Sequence, residues 1–215
     1  MTVIAKLSAA RQVYGGLPLR TVLGMALQRA GATEIRALDP GTERTGFCAV
    51  AAEGWRAFTF PTLTIQHYLR QGSWGADRSE VAWMIERLSG QGRRAFPEVV
   101  QGAFVAGQFW ECLAGRGRSV TMIYREAIRA KLLGNASKGE RAGDSAIYRR
   151  LRVMAAGKVE REKLREAGND GRAALALVVG FGLGAHVHSA VSQKTALCPP
   201  PADPEPAPAA AQGGE

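Results

Sequence analysis

The chain has 215 residues, 46% of them hydrophobic and 22% charged, which suits one globular domain and excludes a wholly disordered or fibrous protein. No apolar run reaches the ~18 residues of a membrane span, and the N-terminus lacks the charged start, apolar core and small-residue cleavage site of a secretory signal, so a cytoplasmic protein with no membrane contact is expected. The net charge is +9 with a pI near 10.0, and Arg116 to Arg172 holds 15 Lys and Arg against 7 Asp and Glu, which points to a polyanionic partner, nucleic acid first, or more plainly to a solvated basic helical surface.

Residues 1–33 read as a lead-in whose stretch Leu17–Gly31 has helical spacing and stops at Gly31. Strand-like runs follow at Ile35–Leu38, Gly46–Ala51 and Trp55–Phe60, separated by Pro40-Gly41 and Glu53-Gly54 turns, so an antiparallel meander is expected. Asp77–Leu88 reads as a helix, Pro97–Val100 as a short strand, Phe104–Leu113 as a helix and Ser119–Ile123 as a strand. Three helical stretches come next, Arg125–Leu133, Asp144–Ala155 and Gly171–Val187. From about 194 the chain is Pro- and Ala-rich without periodicity, and a disordered tail over 194–215 is expected.

Cys48, Cys112 and Cys198 are odd in number and widely spaced, which argues against a disulfide framework and a structural zinc site. His186 and His188 stand two apart in a stretch read as helix, where they would face different ways, so a metal pair is not expected. The "GFGLG" at Gly180–Gly184 follows a helical run and not a strand, so it reads as close helix packing and not as a phosphate loop.

The stretch that carries chemistry is "LDPGTERTGFCAV", where an apolar run ends on Asp39 and a Pro-Gly turn brings the chain back. On its own, Asp39 is a good first residue of a β-turn. The order of three strands, helix, strand, helix, strand, helix is the layout of the RNase H-like fold, an α/β fold with a mixed five-stranded sheet, antiparallel meander plus two parallel strands, flanked by helices. The expected division is a helical extension over 1–33 and this domain over 34–190.

Within that layout the sequence resembles the RuvC-type Holliday junction resolvases, and their phage-type relatives in particular. Asp39, Gly41 and Gly46 match a first motif of the form D-x-G-x-x-x-x-G before an apolar strand. "FPEVVQGAFVAGQFWE" resembles the segment in which a strand carries the second acid, which would be Glu98. "YREAIRAKLLGNASKGERAGDSAIYRRL" resembles the run into a Lys- and Arg-bearing segment, and "GNDGRAALALVVG" the C-terminal helix that opens on an acid, which would be Asp170. The resemblance covers about 34–187. Where the bacterial resolvases carry a second aspartate three residues on, this chain has Ala173, with Asp144 and Asn169 as possible substitutes.

The resemblance implies a structure-selective endodeoxyribonuclease that cuts four-way junctions or other branched DNA as a homodimer. It implies two Mg²⁺ ions, replaceable by Mn²⁺, with Asp39 bridging, Glu98 on one ion, Asp170 on the other and Asp144 as a further candidate. Two such ions about 3.5–4 Å apart activate water and stabilise the leaving oxygen, and Mg²⁺ takes carboxylates in preference to Cys or His. Asp170 and Asp144 have the plainer reading of helix N-caps, and Glu98 that of a surface residue. Lys138, Arg141, Arg149, Arg150 and Arg152 would neutralise DNA phosphates. Two other readings stand beside this one. A protein lacking the acid at Ala173 would bind branched DNA without cutting it. An actin- or sugar-kinase-like ATPase would need a second half and a second Asp-Gly phosphate motif, which the chain lacks. Recombination, repair and phage DNA processing are all compatible host roles.

Overall fold

Ile35 and Ala37 point to one side of their strand and Leu38 to the other, and all three are fully buried. A strand apolar on both faces belongs in the middle of a sheet with helices on each side. The computed structural model, which describes residues 17–73, 79–88, 97–134, 144–185 and 187–190, has that arrangement. In chain order the elements are α1 (Leu19–Ala30), β1 (Glu34–Asp39), β2 (Arg44–Ala51), β3 (Gly54–Pro61), α2 (Thr62–Arg70), β4 (Val81–Arg87), α3 (Pro97–Ala114), β5 (Val120–Tyr124), α4 (Arg125–Leu133), α5 (Asp144–Met154), α6 (Gly157–Glu166), α7 (Gly168–Gly182) and β6 (Val187–Ala190).

The sheet order is β3-β2-β1-β4-β5-β6. β1, β2 and β3 form the antiparallel meander, β4 and β5 run parallel to β1, and β6 adds an antiparallel edge. The five strands from β3 to β5 are the RNase H-like layout read from the sequence, and β6 extends it. On one face α1, α4, α5, α6 and α7 enclose a core that includes Ile35, Ala37, Met84, Leu151 and Leu175. On the other, α2 and α3, the latter with Phe109, cover Leu38, Trp83 and Ile85. No helix among the described residues is long and apolar enough to cross a membrane.

Three local readings are corrected. Of Asp77–Leu88, expected helical, residues 81–87 form strand β4. Val81, Trp83 and Ile85 face one core while Ala82 and Met84 face the other. A strand buried on both faces reads as a continuous apolar run, which periodicity alone does not separate from a helix. Pro97–Val100, expected as a strand, is the first turn of α3. Proline suits a first helical position, where its missing N–H costs no intrahelical bond. Glu98 is therefore on a helix and not on a strand. The helix expected over Gly171–Val187 ends at Gly182, and Val187 opens β6, which also contains His188. Helices α2 and α6 were not foreseen. The element order nevertheless holds, because α2 supplies the helix that Asp77–Leu88 does not and β4 supplies the strand that Pro97–Val100 does not.

The helix expected within residues 1–33 packs on the core as α1. Leu19, Val22 and Ala26 are fully buried, and α1 lies against α7, where a Cβ on Gly182 would come within 2.5 Å of the Val22 carbonyl oxygen. Gly180, against Ile128, and Gly182 of "GFGLG" therefore serve helix packing, as expected, while Gly184 takes a left-handed turn after α7. Cys48 is buried and Cys112 half-buried, neither in a disulfide. Cys198, His186 and the tail lie outside the described residues.

Candidate functional site

The turn after Asp39 is held from two sides. The Thr62 backbone N–H donates to the Glu43 carbonyl (2.9 Å) and the Thr62 hydroxyl to the Gly41 carbonyl (2.7 Å), while Thr45 Oγ1 lies 2.9 Å from Thr62 Oγ1. Gly41 is needed because a Cβ there would come 2.2 Å from the Arg44 carbonyl oxygen. Gly46 pairs with Asp39 across β1 and β2, and a Cβ on it would fall 2.0 Å from the backbone carbonyl oxygen of Asp170. The first turn of α7 thus rests directly on the strand beside Asp39. Both glycines of the motif are fixed by close approach.

Asp39 shares the β1 face of Ile35 and Ala37, and Glu86 the β4 face of Met84, by the alternation of a strand. The register places Leu38 beside Ile85, so Asp39 and Glu86 come one step further, on neighbouring strands at the same sheet end. Both are buried. Arg125, the first residue of α4, reaches them from the end of β5. Its Nε donates to Glu86 Oε1, and its Nη2 to Glu86 Oε2 at 2.8 Å and to Asp39 Oδ1 at 3.2 Å. Asp170, half-buried at the start of α7, is near enough for its charge to act on Asp39.

These contacts set the protonation of the pair. Burial raises the Asp39 pKa well above the usual carboxylate range, and the charge of Glu86, a hydrogen bond to Glu86 and the charge of Asp170 push the same way against Arg125. Burial also pulls Glu86 upward, but hydrogen bonds from Arg125 and Asp39 and the charges of Arg125 and Arg129 outweigh it, so its pKa lies below the usual value. Of the two, Asp39 is the acid pushed towards its protonated form and Glu86 the one held towards its ionised form. Two like charges in contact ionise together only when a cation compensates them.

The sequence-predicted residues divide. Asp39 and Asp170 are brought together. Glu98 lies in the first turn of α3, whose Gly102 approaches the Pro40 carbonyl, but its side chain is outside the described residues. Asp144 begins α5, its side chain likewise outside them, as are Lys138 and Arg141 altogether. Arg149 and Arg152 are exposed on α5 and Arg150 is half-buried. Lys158, Arg161, Lys163 and Arg165 are exposed on α6, together with Glu162 and Glu166 of the same helix. Asn169 is exposed and accepts a hydrogen bond from Arg172. That arginine also donates to the Leu164 carbonyl (3.2 Å) and lies over the Tyr148 ring, 4.4 Å from its centroid. Arg172 ties α7 to α5 and α6.

Glu86 and Arg125 are the residues that sequence reasoning missed. A signal for Glu86 was present: "VAWMIE" is an apolar run ending on an acid, the same grammar as "IRALD". By donor chemistry Asp39, Glu86 and Asp170, buried or half-buried carboxylates, fit a hard divalent cation. As they stand, no three His, Cys, Asp or Glu side chains among the described residues converge closely enough to hold a metal, and Arg125 bridges the two buried acids.

No protein-family model matches the sequence, and no curated protein does. Among solved structures the chain is similar to a Thermus thermophilus RuvC structure at 15% identity, over 70% of this chain and 93% of that one, with a TM-score of 0.43. It is also similar to T. thermophilus RuvC in complex with a Holliday junction substrate, at 16% identity over the same shares and a TM-score of 0.45.

Proposed function

We propose that this protein is a Mg²⁺-dependent, structure-selective endonuclease acting on four-way or otherwise branched DNA. The observation that carries the reading is the buried Asp39–Glu86 pair at the end of two central parallel strands, with Asp170 near enough for its charge to act on Asp39. A buried acid pair is costly to fold, and a carboxylate cluster of this kind is expected where a cation is bound during function. The motif around Asp39, Gly41 and Gly46 supports the same conclusion by its resemblance to RuvC-type resolvases.

In this reading Asp39, Glu86 and Asp170 hold the metal, with Glu86 in the role first assigned to Glu98. Two Mg²⁺ ions are proposed, with Mn²⁺ able to replace them. Bound there, divalent cations supply the activation of water and the stabilisation of the leaving oxygen in phosphodiester hydrolysis. The chain's own residues position the substrate. The α5–α6 surface, with Arg149, Arg150 and Arg152, neutralises phosphates and lets DNA approach the acids, and Lys138 and Arg141 are proposed to join it. The protein is proposed to act as a homodimer, since a junction presents two equivalent strands. Val100 and Phe104, exposed one turn apart on α3, offer an apolar face for pairing.

The test uses a synthetic four-way junction, with linear duplex of the same sequence as control, in Mg²⁺ or EDTA. Symmetric nicking of the junction alone, only in Mg²⁺, is expected. Glu86→Gln is expected to slow cleavage by at least about 10²-fold, while Glu98→Gln leaves it within about twofold. The reverse result would return the second acid to Glu98. A second reading has its own support: Arg125 already compensates the acid pair, and Ala173 removes one acid of the resembled motif. Tight junction binding without cutting in either Mg²⁺ or Mn²⁺ would establish that non-cleaving form.

A further inference from the structure

We propose that Arg125 is a displaceable internal counter-ion: its guanidinium holds Asp39 and Glu86 together in the metal-free protein and leaves them when a divalent cation enters. The inference rests on the metal-dependent reading above and concerns this chain's own means of reaching it. It also accounts for the mismatch between a donor set that suits a metal and an arrangement that does not yet enclose one.

The geometry supports an exchange over a permanent ion pair. Arg125 grips both Glu86 oxygens and one Asp39 oxygen, so it occupies the acceptor sites that a cation would need. Its side chain is 34% exposed, whereas those of Asp39 and Glu86 are 10% and 3% exposed. The acids are nearly closed to water, whereas a third of the Arg125 side chain is open to it. Arginine also keeps its charge in every state and is weakly hydrated, so it suits a buried carboxylate pair better than lysine does. It begins α4 right at the end of β5. Its backbone is therefore anchored while its side chain moves by rotamer changes alone, which need no rearrangement of the fold.

A counter-ion of this kind competes with the metal. A residue that merely braces the site would aid metal binding, so the two roles predict opposite signs. The test is Mn²⁺ titration of the EDTA-treated full chain, read by electron paramagnetic resonance of free Mn²⁺, for wild type, Arg125→Gln, Arg125→Lys and Asp39→Asn. Arg125→Gln is expected to bind Mn²⁺ about tenfold more tightly than wild type, with Arg125→Lys between them and Asp39→Asn weakest. Equal or weaker binding by Arg125→Gln, with wild type still binding through Asp39, overturns the counter-ion role and leaves the metal site standing. Binding by none of the four overturns both.

Should Arg125→Gln fail to fold without metal, a titration of wild type decides. The Nε–H resonance of Arg125, assigned by its loss in Arg125→Lys, is expected to lose its hydrogen-bonded shift as Mg²⁺ saturates the protein. A resonance unchanged at saturation overturns the proposal.

Discussion

Asp39→Asn is expected to reduce Mg²⁺-dependent junction cleavage by at least about 10³-fold and, in EDTA, to make the protein more stable than wild type. The two effects have one origin. Asp39 is a buried acid beside another acid, and asparagine can still donate to Glu86 and accept from Arg125 without carrying charge. A gain on the order of 1 kcal/mol, or about 2–4 °C in Tm for a chain of this size, is expected near neutral pH. The pH dependence follows from the raised pKa of Asp39. A group whose folded pKa is raised contributes stability that is fully present below its unfolded pKa and is lost as pH rises through the folded value. Metal-free wild type should therefore lose ground to Asp39→Asn with rising pH, and the two should converge in acid. Thermal denaturation in EDTA across mildly acidic to mildly alkaline pH checks this. An Asp39→Asn protein less stable than wild type throughout would show that the acid pair carries no strain, and full cleavage by it would remove Asp39 from the site.

Gly46→Ala should have the largest effect on folding. The added methyl would lie 2.0 Å from the Asp170 carbonyl oxygen, where nothing flexible can yield. Overpacking costs about 1–3 kcal/mol when side chains can shift, and here backbone must move, so a loss of about 3 kcal/mol or more is expected. That is a drop of about 6–12 °C in Tm. Whatever folds should have α7, and Asp170 with it, pushed off β2, so cleavage should fall although no reacting group has changed. Gly107→Ala is the control. Gly107 lies in α3 with nothing near its Cβ position, and alanine there should stabilise by up to about 1 kcal/mol. Loss of stability at Gly107 and none at Gly46 would contradict the packing described.

The difference between those two glycines also marks what the sequence discloses. Asp39, Gly41 and Gly46 are close in the chain, and the tight return they make is a local event with a local pattern. The meander was legible for the same reason, since its turns contain Pro-Gly and Glu-Gly pairs. Glu86 was not, because β4 is buried on both faces and its apolar residues fit a helix as well as a strand. The Val-Val of the α3 first turn resembled a strand until Pro97 is seen as a helix start. Arg125 could not have been found locally. Its partners Asp39 and Glu86 are distant in sequence, and only the order β1-β4-β5 brings the three to one sheet end. Asp170 was legible as the first acid of a helix, but its nearness to Asp39 depends on the contact at Gly46.

The packing of α1 bears on where this molecule can be cut. Leu19, Val22 and Leu23 belong to the same buried cluster as Leu175 and Val179 of α7. Stripping α1 away would uncover side chains whose burial contributes about 5 kcal/mol or more, comparable with the entire margin by which most domains stay folded. A shortened chain beginning at Glu34 should therefore aggregate or melt without a cooperative transition. What the sequence presents as a preface is a wall of the molecule, and the helix bearing Asp170 leans on it.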